Sequence, residues 1–304
     1  MARKELRGLY VAMVTPFDRE GKLNRPSLRR LVDRLIKEGA TGLVPCGTTG
    51  ESATLSHAEH REVVALTIEA AEGRAPVIAG AGSNSTAEAL EMVRNAESDG
   101  AKGALVVCPY YNRPSQAGLI AHFTKVAEAT RLPIIIYNIP KRTGVNMEAG
   151  TVAKLAELPN IVGIKEASGD PSQIMEVLAQ TPSDFSVLSG DGYLTFEICC
   201  LGGRGAILAD ANVVTGEWVK LVELVAAGRL AEAREQHFRL LPLARALFVE
   251  TNPAPVKAAL NLLGLEVGDP RLPLLPASDK CRELLRRELA ELGVALAGVG
   301  SRNT

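Results

Sequence analysis

The stretch NIVGIKEASGD, Asn160–Asp170, holds an apolar run from Ile161 to Ile164 that stops abruptly at Lys165, Glu166 and a polar turn. Apolar residues in succession, without alternation, mark a parallel strand covered on both faces. A helical pattern over Pro171–Gln180 follows. The same strand, turn and helix unit recurs along the chain. Its strand runs are LYVAMVTP (Leu9–Pro16), GLVPCG (Gly42–Gly47), PVIAGAG (Pro76–Gly82) and GALVVCP (Gly103–Pro109). PIIIYNIP (Pro133–Pro140), FSVLSGDG (Phe185–Gly192) and GAILADAN (Gly205–Asn212) complete the set. Eight units predict an α/β protein built as a closed (β/α)8 barrel, the TIM-barrel architecture. The rival is an open doubly wound sheet, which often carries a dinucleotide fingerprint. GAGSNS and GDGYLT both lack its third glycine.

The barrel is expected over residues 1–227. A C-terminal extension over 228–296 contains three helical patterns, Leu230–Phe248, Pro253–Leu263 and Ser278–Leu292. A loose tail is expected over 297–304. The 304 residues are 46% hydrophobic and 23% charged, with a net charge of −1. That is globular composition without a basic stripe, so nucleic acid is a poor partner. No apolar run is long enough to span a bilayer, and MARKELRGLY has no signal-peptide core. The five cysteines fit neither a zinc site nor a disulfide framework. A reduced, cytoplasmic setting is expected.

Chemistry in such a barrel sits at the C-terminal ends of the strands. Those ends carry GTTGES with Thr48, Thr49 and Glu51; PYYNRPS with Tyr110 and Tyr111; YNIPKRTG with Tyr137 and Arg142; and Lys165. Three of the five tyrosines fall at this rim although only 4% of the chain is aromatic, which raises the case for a site. A lone strand-end lysine reads most simply as a solvated group paired with Glu166. The sharper reading is a desolvated amine that attacks a ketone, with the Tyr137 phenol at equivalent height passing protons. Arg142 is either a solvated loop residue or a fork for a carboxylate. GTTGE is either a plain turn or a nest for one. His57 and His60, three apart on a helix, invite a metal reading, but no third ligand accompanies them locally. No metal site is expected.

Together TPF, GTTGESATL, PYYNRPSQ, YNIPKRTG, GIKEASGD and FVETNPAPVK resemble the dihydrodipicolinate synthase family over about Leu9 to Pro276. This family belongs to the pyruvate-dependent class I aldolases, which include N-acetylneuraminate lyase. The resemblance implies that pyruvate forms a Schiff base on Lys165 and then condenses with L-aspartate 4-semialdehyde, without metal or organic cofactor. Tyr137, Thr48 and Tyr111 would relay protons, Tyr111 reaching in from a neighbouring subunit. Thr49 would hold the pyruvate carboxylate and Arg142 that of the semialdehyde, while Gly190 and Ile207 line the pocket. A homotetramer of two tight dimers is implied. So is a site for L-lysine as effector at Ser52, Ala53, His57, His60, Asn84, Glu88 and Tyr110.

Two departures border the pocket. The family often reads SGDD where this chain has SGDG, with Gly192. LADAN stands where SVTAN-like segments are more usual. Both bear on the aldehyde, so another pyruvate aldolase acting on a different aldehyde is the alternative. A non-catalytic barrel that binds small acids is a third reading, and it should lack the hydroxyl relay.

Overall fold

The computed structural model describes residues 5–297. Its first half runs β1 (Gly8–Ala12), α1 (Arg25–Lys37), β2 (Gly42–Val44), α2 (His57–Ala71), β3 (Ile78–Gly80), α3 (Thr86–Ser98), β4 (Gly103–Val107) and α4 (Gln116–Glu128). β5 (Ile134–Asn138) is followed by two short helices, α5 (Pro140–Thr143) and α6 (Ala149–Leu155). Then come β6 (Ile161–Glu166), α7 (Pro171–Gln180), β7 (Ser186–Ser189), α8 (Thr195–Cys200), β8 (Gly205–Leu208) and α9 (Thr215–Ala226). Three helices close the chain: α10 (Leu230–Ala246), α11 (Ala254–Leu262) and α12 (Asp279–Glu291).

All strand pairs are parallel, in the order β2-β1-β8-β7-β6-β5-β4-β3. The two ends of that order meet through a bridge between Leu43 and Val77. The Leu43 N–H donates to Pro76 O, and the Gly80 N–H donates to Pro45 O. The sheet is therefore a barrel, as the eight units predict.

Side chains of each strand divide between two layers. Ile134 and Ile136 pack outward under the helices, whereas Ile135 and Tyr137 pack inward with Val44, Ile78, Leu105, Leu188 and Ile207. Both layers are apolar, which is why the strands read as unbroken hydrophobic runs.

Helix limits follow local chemistry. Ser56 and Glu59 form a capping box at the start of α2. Asp170 caps α7, whose limits match the sequence pattern. Before α6 begins at Ala149, Asn138 Oδ1 accepts the Met147 N–H and holds the chain. Pro253 serves as the cap of α11 and stands outside its first turn. α10 packs on α8, α9 and α12. Of the expected tail, Ala297 donates its N–H to Leu262 O; residues 298–304 lie outside the described residues.

Candidate active site

A bulge in β6 decides where the lysine points. Ile134 pairs with Ile161, but the next pair is Ile135 with Gly163, so Val162 is the extra residue. Strict alternation from Ile161 would send Lys165 outward to the helices. The extra residue inverts the parity, so that Ile164 packs outward and Lys165 stands beside Tyr137 in the barrel. Glycine at 163 permits this, since a Cβ there would lie 2.3 Å from Ser186 O. Glu166 takes the opposite face. Its carboxylate accepts bonds from the Ser168 N–H at 2.7 Å and Asn138 Nδ2 at 3.2 Å. The simple pairing of Lys165 with Glu166 is thereby ruled out.

Lys165 is 5% exposed, and its Nζ lies 4.2 Å from the centre of the Tyr137 ring. Burial brings the amine down from the ordinary 10.5 to about 7, against the opposing pull of Asp210. Burial also pushes the Tyr137 phenol up to about 12, partly offset by a hydrogen bond with Thr48. Glycine at 190 leaves the lysine its room. A Cβ there would sit 3.0 Å from both Cγ and Cε of Lys165 and 2.8 Å from Ala167 Cβ. Ile207, fully buried in β8, belongs to the same interior layer.

The GTTGE turn is fixed from both sides. Thr15 donates to Gly50 O at 2.6 Å, and Asn252 Nδ2 donates to Thr49 Oγ1 at 2.9 Å. Arg142, on α5, donates from Nη2 to Asn252 O at 3.1 Å, and its charge acts on both Lys165 and Tyr137. Asn252 thus joins the two groups expected to hold carboxylates. Glu51, in left-handed backbone at φ 56, meets Lys257 at 2.6 Å in a fully buried ion pair. Burial lowers the Lys257 amine to about 8 against the pull of that carboxylate.

Lys165, Tyr137, Thr48, Thr49, Arg142, Gly190 and Ile207 come together at one mouth of the barrel. Tyr111 does not join them within the chain. It is 89% exposed, in left-handed backbone at φ 72, with its N–H on Thr143 O. A cavity of about 520 Å³ runs from Thr48, Arg142 and Asn252 to Ser52, Ala53, His57, His60, Glu88 and Tyr110. Asn84 lies outside that lining, with its carbonyl accepting from Asn112 Nδ2. The two histidines have partners that are not metals. His57 Nε2 lies 2.9 Å from Glu88 Oε1, and His60 Nε2 lies 2.8 Å from Gly80 O. Among the described residues no three His, Cys, Asp or Glu side chains converge as metal ligands.

Sequence reading missed Asn252, Lys257 and Asp210. The first two lie in FVETNPAPVK, but their partners are about 200 positions away in the chain, and nothing local signals the pairing. Asp210 stood in view in LADAN without an assigned task.

A buried amine lowered to about 7, seated at the strand ends of a (β/α)8 barrel, is an arrangement suited to the class of imine-forming lyases. Within that class the chain belongs to the dihydrodipicolinate synthetase family, whose profile matches residues 5–292. It is 51% identical to the 4-hydroxy-tetrahydrodipicolinate synthase of Methanopyrus kandleri, with 97% of this chain and 99% of that one covered. The enzyme of the same name from Syntrophus aciditrophicus is 50% identical, with 95% and 99% covered. The dihydrodipicolinate synthase of Cyanidioschyzon merolae, solved with lysine bound, superposes with a TM-score of 0.94 at 42% identity, covering 96% of this chain and all of that one (100%).

Proposed function

We infer that the protein condenses pyruvate with L-aspartate 4-semialdehyde to give 4-hydroxy-tetrahydrodipicolinate, through a Schiff base on Lys165. One observation carries this reading: the Lys165 amine is buried, lowered to about 7, and held over the Tyr137 ring. At pH 7.5 an amine of that kind is mostly neutral, whereas an ordinary lysine is neutral in only about one molecule in a thousand. Activation of the nucleophile is therefore worth several hundredfold.

The neutral Nζ adds to the pyruvate ketone to form a carbinolamine, which loses water to give a protonated imine. Loss of a C3 proton gives the enamine. Its carbon attacks the aldehyde, and the amine of the adduct then displaces Lys165, closing the ring and freeing the side chain. The imine nitrogen is the electron sink throughout, so the scheme calls on no metal or organic cofactor. Tyr137 and Thr48 move protons at the nitrogen and at the departing oxygen. Asn252 already donates to Thr49 Oγ1, which leaves the Thr49 hydroxyl proton free for the pyruvate carboxylate. One Arg142 nitrogen is engaged with Asn252 O, and its remaining N–H groups are free to take the second carboxylate. Gly190 and Ile207 bound the imine.

Tyr111 completes the relay across a two-fold contact within a homotetramer of two tight dimers. Its exposure and unusual backbone suit a side chain held out for a neighbour. L-lysine binds as effector in the cavity at Ser52, Ala53, His57, His60, Glu88 and Tyr110, with Asn84 beside it. This reading draws on the lysine-bound relative and on the continuity of that cavity with Thr48 and Arg142. A cytoplasmic location goes with the unpaired state of all five cysteines. No described helix is long and apolar enough to cross a membrane.

The test is turnover of pyruvate with L-aspartate 4-semialdehyde, coupled to dihydrodipicolinate reductase, alongside a panel of other aldehydes. A higher kcat/KM for the semialdehyde than for any other aldehyde is expected. Preference for another aldehyde would make the protein a different pyruvate aldolase. L-lysine added to the same assay should lower the initial rate; unchanged rates at millimolar lysine would remove the effector site.

A further inference from the structure

One buried carboxyl beside the site has no task in this scheme. Asp210 opens the short turn Asp210–Asn212 after β8 and is 1% exposed. Its Oδ2 has no hydrogen-bond partner among the described residues. The turn is rigid. Asn212 Nδ2 donates to Ala12 O at 2.7 Å and to Ala209 O at 2.8 Å, and the Val14 N–H donates to Asn212 Oδ1. Arg34 holds the Asn212 carbonyl from outside at 2.9 Å. The backbone that carries Asp210 is therefore held in place, while Oδ2 is left without a hydrogen bond among the described residues.

The space around that oxygen is made by a glycine. A Cβ on Gly192 would lie 2.3 Å from Asp210 Oδ2 and 3.0 Å from the Trp218 ring. The two departures from the family pattern thus meet in space. The pattern SGDD with SVTAN puts an aspartate at 192 and a threonine at 210; this chain has glycine at 192 and aspartate at 210. Here the carboxyl stands on the β8 loop, and the glycine opposite makes room for it.

The charges around it are few. Asp191 and Lys165 act on Asp210; Tyr193, which bonds Arg245, feels both aspartates; Arg142 faces Lys165 from α5. Among the described residues Lys165 is the one cation that acts on Asp210, and Asp210 is the foremost charge acting on Lys165. Burial raises the carboxyl to about 7, close to the amine.

We propose that Asp210 is the built-in counter-charge of the Lys165 imine, a positioning residue that acts on the reacting nitrogen through the field of its carboxylate. The proton count balances. Amine, ketone and carboxylic acid on one side become protonated imine, carboxylate and water on the other, with the proton carried by the hydroxyl relay. The site stays neutral while empty and holds an internal ion pair once pyruvate is bound. A protonated imine is thereby stabilised in a place where an isolated cation is costly.

This proposal rests on the Lys165 imine reading, and the experiment separates the two. Adduct formation with pyruvate and borohydride is measured from pH 5.5 to 9 in the wild type and in Asp210→Asn. If the wild type forms no adduct on Lys165, the functional reading itself fails. If it does, Asp210→Asn should make the amine easier to deprotonate and yet the imine harder to hold. The midpoint of the acid limb should fall by about one pH unit, because the empty site can no longer hold an ammonium group beside an Asp210 carboxylate. Apparent pyruvate affinity at pH 7 should fall by about tenfold, because the imine has lost its counter-charge. A merely structural role gives no such combination. Wild-type midpoint and affinity in Asp210→Asn would overturn the proposal. The double variant Gly192→Asp with Asp210→Thr returns a carboxyl from the other loop and should restore both readouts. Should Asp210→Asn fail to fold, this double variant decides alone: wild-type midpoint and affinity support the proposal, and displaced values overturn it.

Discussion

Replacing Lys165 with methionine should abolish imine formation and, below about pH 10, stabilise the fold. Burial lowers the amine from 10.5 to about 7, so the folded chain resists protonation more than the unfolded chain does. Below pH 7 both states carry the charge, and the folded state bears the full cost of burying it. Between 7 and 10.5 the unfolded chain binds the extra proton, so wild-type stability rises with pH at about 1.4 kcal/mol per unit. The full cost corresponds to about 5 kcal/mol, an upper bound for what methionine recovers at pH 7. At pH 8.5 it has shrunk to about 3 kcal/mol, and near pH 10.5 to almost nothing. Methionine is close in length and apolar, so it fills the same space beside Tyr137 without the charge. The assay is urea unfolding of wild type and Lys165→Met at four pH values from 6.5 to 10. The stability difference should favour the variant and shrink steadily as pH rises. A difference that is flat with pH, or a variant that is weaker throughout, would refute a desolvated amine at 165.

Gly190→Ala puts a methyl group 3.0 Å from two carbons of Lys165, so kcat should fall at least tenfold while unfolding shows the protein still folded. Arg142→Lys keeps the charge but loses the fork; KM for the semialdehyde should rise about tenfold or more in initial-rate kinetics, with adduct formation from pyruvate little changed. Glu51→Gln breaks the buried pair with Lys257, and chemical unfolding should show a loss of about 3 kcal/mol. Because Glu51 closes the GTTGE turn, the same variant should also bind pyruvate more weakly.

The barrel was legible because its signal is local. Each strand is a short apolar run followed by a turn and a helical period, and eight repeats leave few architectures. The site was legible in part for the same reason: Thr48, Tyr137, Arg142 and Lys165 all sit at strand ends, where such a barrel collects its chemistry. The direction of Lys165 was not legible. It depends on one extra residue in β6, and a bulge at Val162–Gly163 leaves no mark in apolar periodicity when both faces of the strand are apolar. Asn252 and Lys257 were hidden because their partners lie on the far side of the chain, and long-range pairing has no local pattern. Gly192 and Asp210 were visible as separate oddities. Only the fit of Oδ2 into the space of the missing Cβ makes them one feature.

The central claim is that Lys165 is the nucleophile, and mass spectrometry of the trapped enzyme tests it most directly. The protein is incubated with pyruvate and borohydride, digested, and the modified peptide sequenced. The account predicts a single reduced pyruvate adduct on Lys165, absent from Lys165→Arg, whose side chain stays protonated. An adduct on any other lysine, or none under conditions of turnover, would contradict it.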